Sequence, residues 1–259
     1  MRLRSAIAFA AIALAACPVL AGEIPPDQRR SGTSFMAPAT RAIQDDDTAN
    51  PGMLFALDGE KLWNKKIGSA GKACADCHGD VAESMKGVAA RYPAFDKAQG
   101  RPVNLEQRIN LCRANHQRAS PLAYESHDLL ALEAFVAKQS RDIAISTGDD
   151  PQLSPFIEKG RDLFMQRQGQ LNLSCANCHD DNWDRKLAGS AITQAHPTGY
   201  PIYRLEWQTL GSLQRRLRSC ISGIRAQPYD YGALELVELE LYLMSRARGM
   251  KMESPAVRP

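Results

Sequence analysis

The chain has 259 residues, 44% of them apolar and 7% aromatic, and a formal net charge of +3. That length supports one large or two small domains. The small charge, spread over short mixed runs, argues against a nucleic-acid or membrane-surface partner.

Residues 1–21 read as an export signal: Arg2 and Arg4 precede the apolar run Ala6 to Ala16, and Val19-Leu20-Ala21 offers small residues for cleavage. Its removal lowers the net charge from +3 to +1 and implies a periplasmic mature chain. Leu14-Ala15-Ala16-Cys17 resembles a lipoprotein box, but Pro18 directly after Cys17 favours soluble release. No other stretch approaches the roughly 18 apolar residues of a membrane-spanning helix. Residues 22–50 contain Pro and Asp without clear periodicity, and are expected to form an irregular N-terminal arm wrapping the module that follows.

From there the chain repeats itself. Phe55, Gly59, Leu62 and Trp63 match Phe156, Gly160, Leu163 and Phe164 at a constant offset of 101. The apolar positions form a helical stripe, with a glycine where another helix can approach closely. At the same offset, Cys74-Ala-Asp-Cys77-His78 matches Cys175-Ala-Asn-Cys178-His179. Arg108 and Cys112 then match Arg216 and Cys220. The apolar stretches Asp128 to Arg141 and Ala233 to Arg246 lack Gly and Pro and read as closing helices. The reading is mainly α: two tandem cytochrome c-like modules related by internal duplication, at 51–145 and 154–249. A polar linker covers 146–153 and a tail 250–259. Ser154-Pro155 reads as the N-cap and first turn of the second module. Strand signals are thin: Gly199 to Arg204 reads as an extended loop because of its prolines.

Each Cys-x-x-Cys-His pentad is the attachment signature of c-type haem. Two thiols three residues apart on a helical turn face the two vinyl groups, and the histidine projects to the iron. Two covalently bound haem c groups are therefore expected, on Cys74 and Cys77 and on Cys175 and Cys178, with His78 and His179 as axial ligands. A zinc site or a thioredoxin-type pair would use the same residue types, but matched pentads in a duplicated, exported chain favour haem. For the sixth ligand, neither a histidine (His116, His127, His196) nor a methionine recurs in both modules, whereas cysteine does, at Cys112 and Cys220. A Cys112–Cys220 disulfide is the alternative expected of an even pair in an oxidising compartment; the symmetric placement favours thiolate ligation.

The segment Gln214-Arg215-Arg216-Leu217-Arg218-Ser219-Cys220 packs three cations beside one thiol. Such a cluster attracts small dianions, although haem propionates would use it equally. Arg108 mirrors Arg216, while Asn110 stands where Arg218 would be mirrored, so an anion site has better support in the second module.

The two pentads, the Arg-x-x-x-Cys of each module and the loop Pro197-x-Gly199-Tyr200-Pro201 resemble the dihaem SoxA subunit of the SoxAX cytochromes, over essentially the whole mature chain. The resemblance implies an L-cysteine S-thiosulfotransferase of sulfur oxidation. It would couple thiosulfate oxidatively to a cysteine of the SoxYZ carrier and pass two electrons through haem to a SoxX-type monohaem cytochrome. It also implies that Cys220 is both axial ligand of the second haem and the catalytic residue, carried as a persulfide, that Arg216 binds substrate, and that Cys112 is the axial thiolate of the first haem. Arg218 is a further substrate-binding candidate. A purely electron-transferring dihaem cytochrome, with Cys112 and Cys220 as ligands or a disulfide, is the competing reading.

Overall fold

Two crossed helix pairs carry the fold. The computed structural model describes residues 24–259; the export signal and Cys17 lie outside the described residues. The arm contains α1 (Pro38–Asp45). The first module runs α2 (Gly52–Asn64), α3 (Ala75–His78), α4 (Val81–Ser84), the hairpin β1 (Ala94–Asp96) and β2 (Arg101–Val103), α5 (Leu105–Cys112) and α6 (His127–Lys138). The second runs α7 (Ser154–Met165), α8 (Cys175–His179), the short hairpin β3 (Lys186–Leu187) and β4 (Ser190–Ala191), β5 (Ile202–Arg204), β6 (Thr209–Gly211), α9 (Leu213–Gly223) and α10 (Leu234–Arg246). A final strand, β7 (Ala256–Arg258), lies parallel to β5, whose other edge pairs antiparallel with β6.

In each module the first and last helices cross at the glycine that the repeat singled out. A Cβ on Gly59 would stand 2.1 Å from the carbonyl oxygen of Ala131, and one on Gly160 the same 2.1 Å from that of Glu238. Only glycine lets backbone meet backbone this closely. The mainly helical, twofold architecture expected from the duplication is the one observed.

The modules are not separate bodies. Met244 and Ala247 at the end of α10, with Met252, join Trp63 and Phe135 in one core cluster. Leu210 of β6 completes another built from Met53, Ala56, Leu130 and Ala134. A third, around Phe164, Leu239 and Tyr242, belongs to the second module alone. At the seam Tyr124 stacks on Tyr231 with centroids 5.9 Å apart. Asn104, which caps α5, donates to Glu240 of α10 at 3.0 Å.

Several segments differ from their sequence reading. The stretch to Arg204 ends in strand β5, because β6 and β7 supply partners for its backbone that no local signal records. Leu153, rather than Ser154, stands at the N-cap of α7, without a side-chain cap. The linker is laced inward: the Thr147 hydroxyl donates to the carbonyls of Ala90 and Tyr92. The last ten residues contain β7, with Val257 fully buried. The arm docks chiefly on the second module and this strand. Arg30 N–H donates to Gln194 at 2.6 Å, and Asn50 donates to the Pro255 carbonyl at 2.9 Å.

The seam also buries carboxyl groups. Burial pushes Glu106 and Glu133 well above the ordinary carboxylate range, and the negative charge of Glu240 and Glu125 adds to the shift of both. Glu240 is pushed up to about 7 by burial, even though Gln214 donates to it at 2.6 Å.

Two outcomes are expected. Gly160→Ala drives a methyl group into a backbone carbonyl and should cost about 3 kcal/mol in urea unfolding. Glu240 binds its proton more tightly folded than unfolded. Its stabilising contribution is therefore complete below the unfolded value of about 4.3 and is lost as pH rises through the folded value of about 7. Unfolding curves at pH 5 and pH 8 should show that loss, roughly 3 kcal/mol at most from this group, and Glu240→Gln should reduce it.

Candidate functional site

The two pentads sit on single helical turns. Ser174 caps α8 by accepting from Asn177 N–H at 3.2 Å, while the Asn177 side chain accepts from Ser174 N–H at 3.1 Å. This closes the turn that puts Cys175, Cys178 and His179 on neighbouring faces. In the first module Asp76 accepts from Ala73 N–H at 2.9 Å, ahead of Cys74, and the Trp63 indole lies 5.6 Å from the His78 ring.

His179 is oriented by its own surroundings. Its Nδ1 lies 2.6 Å from the Thr193 carbonyl oxygen. A carbonyl only accepts, so Nδ1 carries the proton and the Nε2 lone pair is left to a metal. Burial holds its proton affinity below the usual imidazole range, which keeps the ring a neutral ligand. Next to it, Asp180 forms a buried ion pair with Arg246 at 2.6 Å, and that guanidinium lies over Phe164, 4.5 Å from the ring centroid.

Each downstream cysteine belongs to its own pentad. Cys112 ends α5 and lies in the electrostatic reach of Cys74 and Cys77. Cys220 rides on α9 and acts on Cys175 and Cys178 in the same way. The six described cysteines form no disulfide with one another, so no Cys112–Cys220 bond joins the modules. Burial pushes the Cys112 thiol up, whereas Cys220 is exposed. Among the described residues no three His, Cys, Asp or Glu side chains converge tightly enough to hold a bare metal ion. Paired thiols, an imidazole and a third sulfur in each module fit covalent c-type haem instead.

The modules diverge at their arginines. A constant offset of 108 maps Tyr92, Asp96, Arg108 and Cys112 onto Tyr200, Arg204, Arg216 and Cys220. In the first module Arg108 is neutralised: it forms a short ion pair with Asp96, whose side chain is only 8% exposed, and donates to the Tyr92 hydroxyl at 3.2 Å. In the second, a cation replaces that acid. Arg204 is buried on β5, where it pairs with Glu206 and donates to an oxygen of Pro259, each at 2.9 Å.

The other two cations of the cluster are engaged elsewhere. Arg215 lies 4.2 Å from the Trp207 ring centroid and pairs with Glu125 at 3.8 Å. Arg218 lies over Tyr231 at 4.4 Å. Two residues from Cys220 is about 200° around a helix, so Arg218 projects to the opposite side; Arg216, one turn before Cys220, shares its face. The spare histidines are ordinary: His127 pairs with Asp58 at 3.0 Å, His196 bonds the Arg30 carbonyl through Nδ1 at 3.0 Å, and His116 is exposed. Sequence reasoning missed the change from Asp96 to Arg204 at equivalent positions. The offset of 108 that matches Arg108 to Arg216 also matches Asp96 to Arg204, and was the available signal.

A family model described as the SoxA/TsdA cytochrome c domain matches residues 58–145 and again 159–252. The chain is 38% identical over 232 residues to the L-cysteine S-thiosulfotransferase subunit SoxA of Rhodovulum sulfidophilum, covering 90% of this chain and 81% of that one. It is 32% identical to the subunit of the same name from Paracoccus pantotrophus, over 88% of this chain and 78% of that one. The crystal structure of SoxXA from P. pantotrophus superposes with a TM-score of 0.86 at 32% identity, covering 89% of this chain and 87% of its own. The chain belongs to the SoxA/TsdA cytochrome c family, within its SoxA group.

Proposed function

We propose that the chain is the catalytic haem subunit of an L-cysteine S-thiosulfotransferase, with Cys220 as the reacting sulfur. The observation that carries this reading is the contrast between the modules: Cys220 is exposed beside a positive site, while Cys112 is half-buried beside a neutralised arginine. Two haem c groups would be held, through Cys74 and Cys77 and through Cys175 and Cys178. His78 with Cys112, and His179 with Cys220, are the residues that would hold the two irons. A SoxX-type cytochrome subunit is the partner, in keeping with the SoxXA complex of the solved relative. The cysteine-bearing substrate is the SoxYZ carrier, and the site of action is the periplasm.

The bound haem supplies an acceptor for single electrons; the sulfur chemistry belongs to this chain. Arg216 neutralises part of the thiosulfate dianion and turns its terminal sulfur toward Cys220, one helical turn away. The Cys220 thiolate and S2O3²⁻ form Cys220–S–S–SO3⁻ with loss of two electrons, which leave through the haem-bearing subunit pair. The carrier thiolate then attacks the outer sulfur of that bond. The S–SO3⁻ group passes to the carrier and the Cys220 thiolate is released, an exchange that conserves charge and electrons. One proton is lost overall, from the carrier thiol. Arg218 lies outside this scheme because it faces Tyr231.

Cys220→Ala should reduce carrier thiosulfonation to below about one-thousandth while the second haem stays covalently attached. Mass spectrometry of the carrier and of the haem-bearing peptide reads both, and normal turnover by this variant would end the proposal. Arg216→Ala removes charge-assisted hydrogen bonds. It should raise the KM for thiosulfate about tenfold to a hundredfold, with a smaller effect on kcat.

A further inference from the structure

We propose that Gln194, gripped by the backbone of the N-terminal arm at Gln28 and Arg30, is a positioning residue for His179 and acts through the Thr193 carbonyl. This rests on the reading that His179 holds the iron of the second haem. The chain of contacts is short. His179 Nδ1 lies 2.6 Å from the Thr193 carbonyl oxygen. That carbonyl belongs to the planar peptide unit that ends at the Cα of Gln194. Whatever fixes Gln194 therefore aims the acceptor that holds the ring.

The arm fixes it. Gln194 is fully buried; its side-chain oxygen accepts from Arg30 N–H at 2.6 Å, and its Nε2 donates to the Gln28 carbonyl at 3.1 Å. These partners lie 164 and 166 residues earlier in the chain. An apolar side chain would fill the same space; a buried amide is costly unless both its ends are paired, and pairing sets its direction. Two residues on, His196 donates from Nδ1 to the Arg30 carbonyl at 3.0 Å. The arm also grips the segment nearer His179: the Arg30 guanidinium lies over the Trp183 ring at 5.3 Å, and Phe35 meets that ring edge-on at 6.5 Å. The first module is built differently, since its chain enters α4 at Val81, soon after His78, and the His78 ring packs on Trp63. A firmly aimed Nδ1–H···O=C bond raises the basicity of Nε2, which favours ferric iron and lowers the reduction potential. The arm thus acts on one histidine of the two.

The test uses the haem-loaded complex with its partner subunit, titrated potentiometrically and followed by electron paramagnetic resonance. Gln194→Met removes both amide bonds at similar volume. Arg30→Pro deletes the N–H that Gln194 accepts, and Arg29 before it already has the extended backbone a proline requires. Each variant should shift the oxidised-to-reduced ratio of one haem of this chain about tenfold toward reduced at fixed potential, a rise of about 59 mV, with the other haem unmoved. The double variant should go no further than either single one. Arg30→Ala keeps the N–H and carbonyl and should stay within about twofold of wild type. Unchanged potentials in Arg30→Pro overturn the proposal even if Gln194→Met does not fold. Equal movement of both haems would mark general loosening, and an Arg30→Ala shift as large as that of Arg30→Pro would assign the effect to the guanidinium on Trp183; either result overturns it. A wild-type second haem without histidine ligation would instead remove the reading on which it rests.

Discussion

Everything in this chain hangs on two backbone-to-backbone helix crossings. At Gly59 and Gly160 the entering helix of each module comes so close to the closing helix that no side chain fits between them. That contact fixes the angle at which α2 and α7 deliver the chain to α3 and α8. The positions of the pentad thiols and histidines follow from it. A crossing made through side chains could slide as rotamers change; one made through carbonyls and a missing Cβ cannot.

Around the crossings, the two modules are fused rather than strung. Core clusters draw residues from both, the seam is closed by stacked tyrosines and side-chain amides, and β7 ties the chain's end to β5. The helices that bear the two downstream cysteines, α5 and α9, both begin at this seam, where Asn104 and Ser212 cap them. The spacing of the two sulfurs is therefore set by inter-module contacts, and the buried carboxyls among those contacts make the joint tighter in acid than in alkali.

Duplication supplied two equivalent sites, and one charge reversal separated them. With Asp96 in place, Arg108 is balanced. In the second module no acid stands at that position, and the Cys220 sulfur is exposed. In the function proposed above, this difference in local electrostatics, more than the thiol itself, distinguishes the two copies. A nucleophile of modest strength gains most from a site that concentrates its partner.

The two Cys-x-x-Cys-His turns, the crossing glycines, the closing helices and the paired cysteines were legible because each is written in local spacing. A thiol three residues from another, or a glycine in an apolar stripe, has the same geometric meaning in any helix. The hairpins before α5 and α9, the docking of the arm on the second module and the strand at the chain's end were not legible in this way, since their hydrogen-bond partners lie far away along the chain. The same holds for the arginines. The sequence by itself determined that two Cys-x-x-Cys-His turns each have a downstream cysteine and that cations crowd the second. Only the tertiary structure decided how those cations are engaged: Arg218 was turned onto Tyr231 and Arg215 onto Trp207. The physical reason is that a charge acts through its neighbours in space, which local sequence does not record.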